Sequence, residues 1–329
     1  MSSSSQNVLV LRLSAFGDVL HTLPAVAALR ASMEPDARLG WLVEEQYADL
    51  VRLVAPVDEV FATRTRAWRR RPLARATFSE IAKLRRALRQ FAGGGTTVDF
   101  QGLVKSAAFG RMSGASVRYG FDAASVRERA SMLATNRRVA VTPSHVVDMN
   151  LQLARAAGAK REGAPLDFTR FEADPDGSLA RLARQTPVVL NPGAAGVGKT
   201  WGADRFAELA DALPDDVEVL VVWGPGERPL AERIAGRSRA FMTPPTTLRE
   251  LAFVLRRARL LVSGDSGPLH LAAALGTPVI GLYGPTDPMR NGPYGQPGRW
   301  VETWATSRKI GDIDVASVVS KVEEVLAEP

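Results

Sequence analysis

Residues 260–288 read LLVSGDSGPLHLAAALGTPVIGLYGPTDP, a pattern that few folds accommodate. A short apolar run ends at Ser263-Gly264-Asp265-Ser266-Gly267-Pro268, residues 269–275 read as a helix closed by Gly276, and a second apolar run follows. Strand, tight turn, helix and strand in that order make the βαβ unit of a parallel sheet. Pro268 suits a first helical turn, where its missing N–H costs nothing. The amides of Ser266 and Gly267 are then left at a helix start, where unpaired N–H groups and the helix dipole favour an anion. A phosphate-bearing ligand fits this corner, and so does a tight turn that binds nothing.

The same alternation runs through the chain. Strands are expected at residues 8–13, 39–43, 59–62 and 97–100, with helices at 19–32, 47–53, 78–91 and 148–157. That succession indicates an α/β fold with a doubly wound parallel sheet. Periodicity is lost over residues 158–186, which read as a connection containing a short helix. The pattern then restarts with strands at 187–190 and 217–223 and helices from about 204, over 229–234 and over 246–257. With 329 residues and 46% hydrophobic content, two domains are expected, at 1–170 and 171–329. The final amphipathic helix, residues 315–326, could pack back on the first.

Charge divides along the same boundary. Residues 1–170 carry 25 Lys+Arg against 15 Asp+Glu, whereas residues 171–329 carry 17 against 20. A basic half suits an anionic partner: a nucleic acid, a membrane surface or a charged small substrate. Six of the arginines, with Trp68 among them, crowd into residues 64–75 just after a strand end. Such a run is either a solvated loop or a lid that grips an anion. The absence of cysteine excludes disulfides, thiolate nucleophiles and cysteine-based zinc sites. Residues 1–7 lack the positive charge of a secretory leader, and Gly and Pro interrupt the longest charge-free stretch, so no membrane span is expected.

Three further turns carry candidate chemistry. Asp18 follows the first strand, as a helix N-cap or as a carboxylate at the carboxyl end of a parallel strand, where open α/β sheets bind ligands. Residues 193–200, GAAGVGKT, formally match a P-loop. A P-loop lysine should feed a helix directly, however, and here the helix is expected only near Asp204, so the loop is read as offering Lys199 and backbone amides to a phosphate. Glu227 follows a strand end, placed either to bind ribose hydroxyls or to sit at a solvent-facing helix start.

Four stretches taken together resemble the glycosyltransferase family of the lipopolysaccharide heptosyltransferases, glycosyltransferase family 9, and most nearly its heptosyltransferase I branch. They are residues 17–24 (GDVLHTLP), 99–106 (DFQGLVKS), the loop ending Lys199-Thr200-Trp201, and residues 263–270 (SGDSGPLH). The resemblance implies a GT-B architecture: two Rossmann-like doubly wound domains facing a central cleft, the first binding the acceptor and the second the nucleotide-sugar. It implies an inverting, metal-independent transfer of L-glycero-D-manno-heptose from ADP-heptose to a Kdo residue of the lipid A inner core, with no cofactor. The enzyme would then be cytoplasmic and peripheral on the inner face of the bacterial inner membrane, in contact with the membrane surface and not with nucleic acid.

Residue by residue, Asp18 matches the family's general base, which takes the acceptor hydroxyl proton as the new bond forms. Its place at a helix start should keep it ionised. Lys199 matches the cation that offsets charge on the departing diphosphate. Ser266 and Gly267 would hold the same phosphates, Asp265 the heptose hydroxyls and Glu227 the ribose; His270 is either a donor-site residue or a packing histidine. On the acceptor side the resemblance assigns Arg66, Arg69, Arg70 and Arg127 to anionic groups, and places Gln101 and Lys105 along the same cleft. Two departures stand out: Ala194-Ala195 occupies the place of two threonines, and Ala67 that of a second consecutive arginine. The alternatives are heptosyltransferase II or a transferase using another nucleotide-sugar, a sugar-nucleotide epimerase of the same fold, and a basic nucleic-acid-binding module. The last lacks any recognition motif.

Overall fold

The computed structural model describes residues 7–194, 196 and 198–328. Ala195, half of the Ala194-Ala195 departure, lies outside the described residues, as does the serine-rich start. The chain forms two compact units that meet in sequence at Arg170 and Phe171.

Among the described residues, the first unit carries a parallel sheet of β1 (Val8–Leu11), β2 (Leu39–Glu44), β3 (Glu59–Thr63), β4 (Thr96–Asp99), β5 (Val117–Phe121) and β6 (Arg137–Val139), ordered β3-β2-β1-β4-β5-β6. The second carries β7 (Val188–Asn191), β8 (Val219–Val221), β9 (Phe241–Met242), β10 (Leu260–Gly264), β11 (Val279–Tyr283) and β12 (Trp300–Glu302), ordered β12-β11-β10-β7-β8-β9. Counted within each unit, both sheets have the Rossmann order 3-2-1-4-5-6. The order reverses between β1 and β4 and again between β7 and β10. Such switch points open a crevice beyond the carboxyl ends of the strands, which is where ligands bind.

The strands β2, β4, β7, β10 and β11 are buried throughout, the reason stretches such as Val188–Leu190 and Leu260–Val262 read as apolar runs. Leu9, Leu11, Leu42, Phe61, Leu88 and Phe91 pack the first core. Gly40 leaves room there: a Cβ on it would stand 2.7 Å from the Phe91 ring. In the second core, Val188, Leu190, Phe206, Val262 and Ile280 meet Val318, Val322 and Val325, so the helix Val315–Leu326 buries its apolar stripe in its own unit.

Local structure departs from the sequence reading in three places. The helix expected over residues 19–32 is two helices, Phe16–Leu20 and Leu23–Ser32. Pro24 has no N–H for the carbonyl four residues back, and its ring clashes there, so the first helix stops before it. Asp18 is consequently not an N-cap. Ala15 holds that position, and Asp18 lies in the first turn. The arginine stretch is not a loop but contains the helix Thr65–Arg70. Finally, β5, β6, β9 and β12 escaped the reading. Edge strands such as Arg137–Val139 and Phe241–Met242 are two or three residues long and partly exposed, too short for a period to register.

Candidate functional site

The turns that follow β7 and β10 converge at the second switch point. Asn191, the last residue of β7, is buried and donates its side-chain amide to Gly193 O (2.9 Å), Ser263 Oγ (2.8 Å) and Ser266 Oγ (3.2 Å). It ties the start of the lysine loop to the start of helix Gly267–Ala274. Ser266 is the N-cap of that helix but makes no side-chain cap, its hydroxyl being engaged with Asn191 and Ser263. The first-turn amides of Gly267 and Leu269 therefore keep the anion-binding character of an open helix start.

Lys199 Nζ lies 2.6 Å from Asp265 Oδ2, and His270 Nε2 lies 3.2 Å from Asp265 Oδ1. Asp265 is thus held by two nitrogens. Burial pushes its carboxyl up, but the hydrogen bonds and charges of His270 and Lys199 outweigh burial and bring it down to about 2. Tyr283 stands close behind, its hydroxyl pushed well up by burial and by the Asp265 charge. Glu227 is the N-cap residue of helix Arg228–Ala235 without capping it. Its carboxylate instead accepts the Gly224 N–H at 2.8 Å and lies across Gly193, where a Cβ would stand 2.0 Å from the carboxyl carbon. Only glycine at 193 lets this acid reach the mouth of the lysine loop. Lys199, Glu227, Asp265, Ser266, Gly267 and His270 are therefore gathered at one corner.

The first unit builds a second cluster at its own switch point. Asp18 Oδ2 accepts the Ala15 N–H at 3.3 Å and faces Arg127 Nη1 at 3.4 Å, while Oδ1 faces Arg12 Nη2 at 3.5 Å. Arg12 is buried, and its Nε donates to the Asp18 carbonyl and to Thr22 Oγ1, both at 3.2 Å. Two guanidiniums thus orient this carboxylate. Arg127 is placed by its loop: the Glu128 N–H donates to Gly102 O at 3.0 Å, and Glu128 Oε2 accepts the Val104 N–H at 2.7 Å.

Gln101, placed along the acceptor cleft by the resemblance, is buried and accepts the Leu13 N–H at 2.7 Å, so it locks the turn after β4 to the turn after β1. Lys105 Nζ donates to Ser14 Oγ at 3.3 Å in the same cluster. Burial, then the charges of Arg69 and Arg66, hold this lysine below its ordinary range against the pull of Glu44. Arg66 and Arg69 are thus neighbours of Lys105, whereas Arg70, exposed in the last turn of the same helix, joins none of the contacts described for this group. That helix is anchored by Trp68, whose indole donates to Glu80 at 2.7 Å and packs on the first core.

Sequence reasoning missed Arg12, Glu44, Asp99 and Asn191. An arginine inside the apolar run VLVLRL was the available signal for Arg12, because a charge in a buried strand must have partners. Asp99 lies inside a motif already singled out, and its buried carboxylate accepts the N–H groups of Gln101 and Gly102 and the Ser106 hydroxyl. Burial pushes it up to about 6 in spite of those bonds.

A family model described as glycosyltransferase family 9 (heptosyltransferase) matches residues 81–309. The chain belongs to glycosyltransferase family 9. It is similar to lipopolysaccharide heptosyltransferase 1 of Escherichia coli K12, with 33% identity over 294 residues, 88% of this chain and 91% of that one. The structure of E. coli heptosyltransferase WaaC with ADP matches at a TM-score of 0.79 and 29% identity, covering 97% of this chain and 99% of the other. WaaC with ADP-2-deoxy-2-fluoro heptose matches over the same shares at 0.77. The chain is therefore a glycosyltransferase, a heptosyltransferase of GT-B fold.

Proposed function

We propose that this enzyme transfers L-glycero-D-manno-heptose from ADP-heptose to a Kdo residue of the lipid A inner core, with inversion and without a metal ion, in lipopolysaccharide synthesis at the cytoplasmic face of the bacterial inner membrane. Residues up to 170 serve the acceptor and those from 171 the donor. The reading is carried by the gathering of Lys199, Asp265, His270 and Glu227 around an open helix start, in a chain similar to a transferase whose structure holds an ADP-heptose analogue. Lys199 and the amides of Gly267 and Leu269 take the diphosphate, Glu227 the ribose, and Asp265 with His270 the heptose hydroxyls.

In the transfer, the acceptor hydroxyl oxygen bonds to the anomeric carbon as the bond from that carbon to the phosphate oxygen breaks. The hydroxyl proton passes to Asp18 and ADP departs with the electron pair, its charge offset by Lys199. Arg66, Arg69, Lys105 and Arg127 hold acceptor carboxylates and phosphates. Ala194, in the place of a threonine, favours a second reading in which the donor is another nucleotide-sugar.

A donor panel of ADP-heptose, UDP-sugars and GDP-sugars, assayed with Kdo-bearing lipid A and with a chelator present, tests both. Nucleotide release that requires the acceptor, is confined to ADP-heptose, survives the chelator and inverts the anomeric centre supports the first reading. Preferential use of a UDP- or GDP-sugar replaces it with the second.

A further inference from the structure

We infer that the outer face of helix Arg75–Ala92, together with Leu73 just before it, docks on an anionic phospholipid surface. The inference rests on the lipid-linked acceptor proposed above and assigns the membrane contact to particular residues.

The helix buries Thr77, Leu84, Leu88, Phe91 and Ala92 against the first core. The rest of its surface should therefore be polar, yet Phe78 on its flank is 58% exposed, and Leu73 just before the helix is 85% exposed. Phe78, Ala82, Arg85, Arg86 and Arg89 line one depression and so share one face, a strip about 16 Å long at the helical rise. Residues 64–92 hold ten Lys and Arg and a single acid, Glu80. That acid is already engaged, accepting from Trp68 Nε1 at 2.7 Å and lying 3.6 Å from Arg64.

A large apolar side chain on an almost purely basic face, with a second one exposed just before the helix, matches an interfacial surface. The phenyl and isobutyl groups enter the headgroup boundary, and the arginine stems lie along it with their guanidiniums on lipid phosphates. Each added cation strengthens attraction to an anionic leaflet. Nucleic acid fits less well, because Trp68 and Phe91 pack inward and leave Phe78 without the run of stacking aromatics a single strand needs. Among the described residues no helix is long and apolar enough to cross a membrane, so attachment through this face is to a surface. The Trp68–Glu80 bond joins this helix to the one carrying Arg66 and Arg69. A chain docked on the bilayer through Leu73 and Phe78 holds those arginines beside acceptors whose acyl chains stay in the membrane.

The test is co-sedimentation of the full chain with vesicles of phosphatidylglycerol and phosphatidylethanolamine, and with vesicles of phosphatidylcholine alone. Circular dichroism melting checks that the variants fold. The wild type should partition onto the anionic vesicles, and Leu73→Ser/Phe78→Ser and Arg85→Gln/Arg86→Gln should each lower that partition at least about tenfold. Both variants should transfer heptose at the wild-type rate to a deacylated, water-soluble Kdo acceptor. Variants that sediment like the wild type overturn the inference. So does equal binding to phosphatidylcholine, or a loss confined to random single-stranded DNA. A wild type that sediments but transfers no heptose sinks the transfer reading and leaves the docking face standing; one that transfers without sedimenting does the reverse.

Discussion

Lys199 and Asp265 form an ion pair of 2.6 Å that joins the loop after β7 to the turn after β10. Asp265 keeps His270 as its second partner at 3.2 Å. On the proposed reading, a diphosphate taken by Lys199 would draw the lysine's charge away from Asp265 and so couple donor binding to the charge balance of this corner.

Asp265, held down by His270 and then by Lys199, also makes stability depend on pH. Asp265 is held at about 2, below its ordinary 3.8. A depressed carboxyl stabilises the fold fully above the ordinary value, and that contribution is lost as pH falls through about 2. It amounts to about 2 kcal/mol. Urea unfolding of the wild type and Asp265→Asn from pH 5 to pH 2 should show their stability difference shrinking toward acid. A difference constant with pH would show that Asp265 is not held by its partners.

Asp99 has the opposite sign. Its carboxyl is raised from 3.8 to about 6, so between those values the folded chain binds a proton that the unfolded chain has lost. Stability therefore falls as pH rises from 4 to 6, by about 3 kcal/mol from this group. Asp99→Asn should remove that slope, read as unfolding midpoints between pH 4 and pH 7.

Asp18→Asn should lower kcat at least about a hundredfold, the scale of general-base catalysis, while leaving ADP affinity within a few-fold. Arg12 and Arg127 flank this carboxylate. Single-turnover transfer and ADP titration separate the two effects, and normal turnover by the variant would remove Asp18 from the role of base.

Lys199→Ala should raise KM for the donor and lower kcat, by tenfold or more in kcat/KM, because the lysine meets a charge that grows during departure. Arg66→Ala and Arg69→Ala should instead raise KM for the acceptor and flatten its dependence on salt. If either arginine variant changed donor KM alone, the acceptor assignment would be wrong.

Much of the site was legible because its turns are local. A strand end, a glycine and a helix start lie within about a dozen residues of one another, so the position of Asp18, Lys199 and Ser266 in the turns after strands followed from pattern. Helix Thr65–Arg70 was not legible, because its arginines mask any apolar period and its one anchor, Trp68, finds Glu80 and the core only after folding. The bond that fixes Gln101 was hidden for a related reason: its partner, the Leu13 amide, is 88 residues away.

The sequence alone determined the α/β alternation, the two halves with their unequal charge, the family resemblance, and the strand-end turns that carry Asp18 and residues 263–270. Hydrophobic period and turn chemistry are short-range properties, readable without knowing what packs where. Only the tertiary structure decided that Asp18 stands between Arg12 and Arg127, 109 residues on; that Lys199 grips Asp265 across 66 residues; and that Glu227 lies over Gly193. Ion pairs are set by where strand order brings chain ends together. The reversal of that order between β1 and β4, and between β7 and β10, is a feature of strand pairing that no local stretch of residues records.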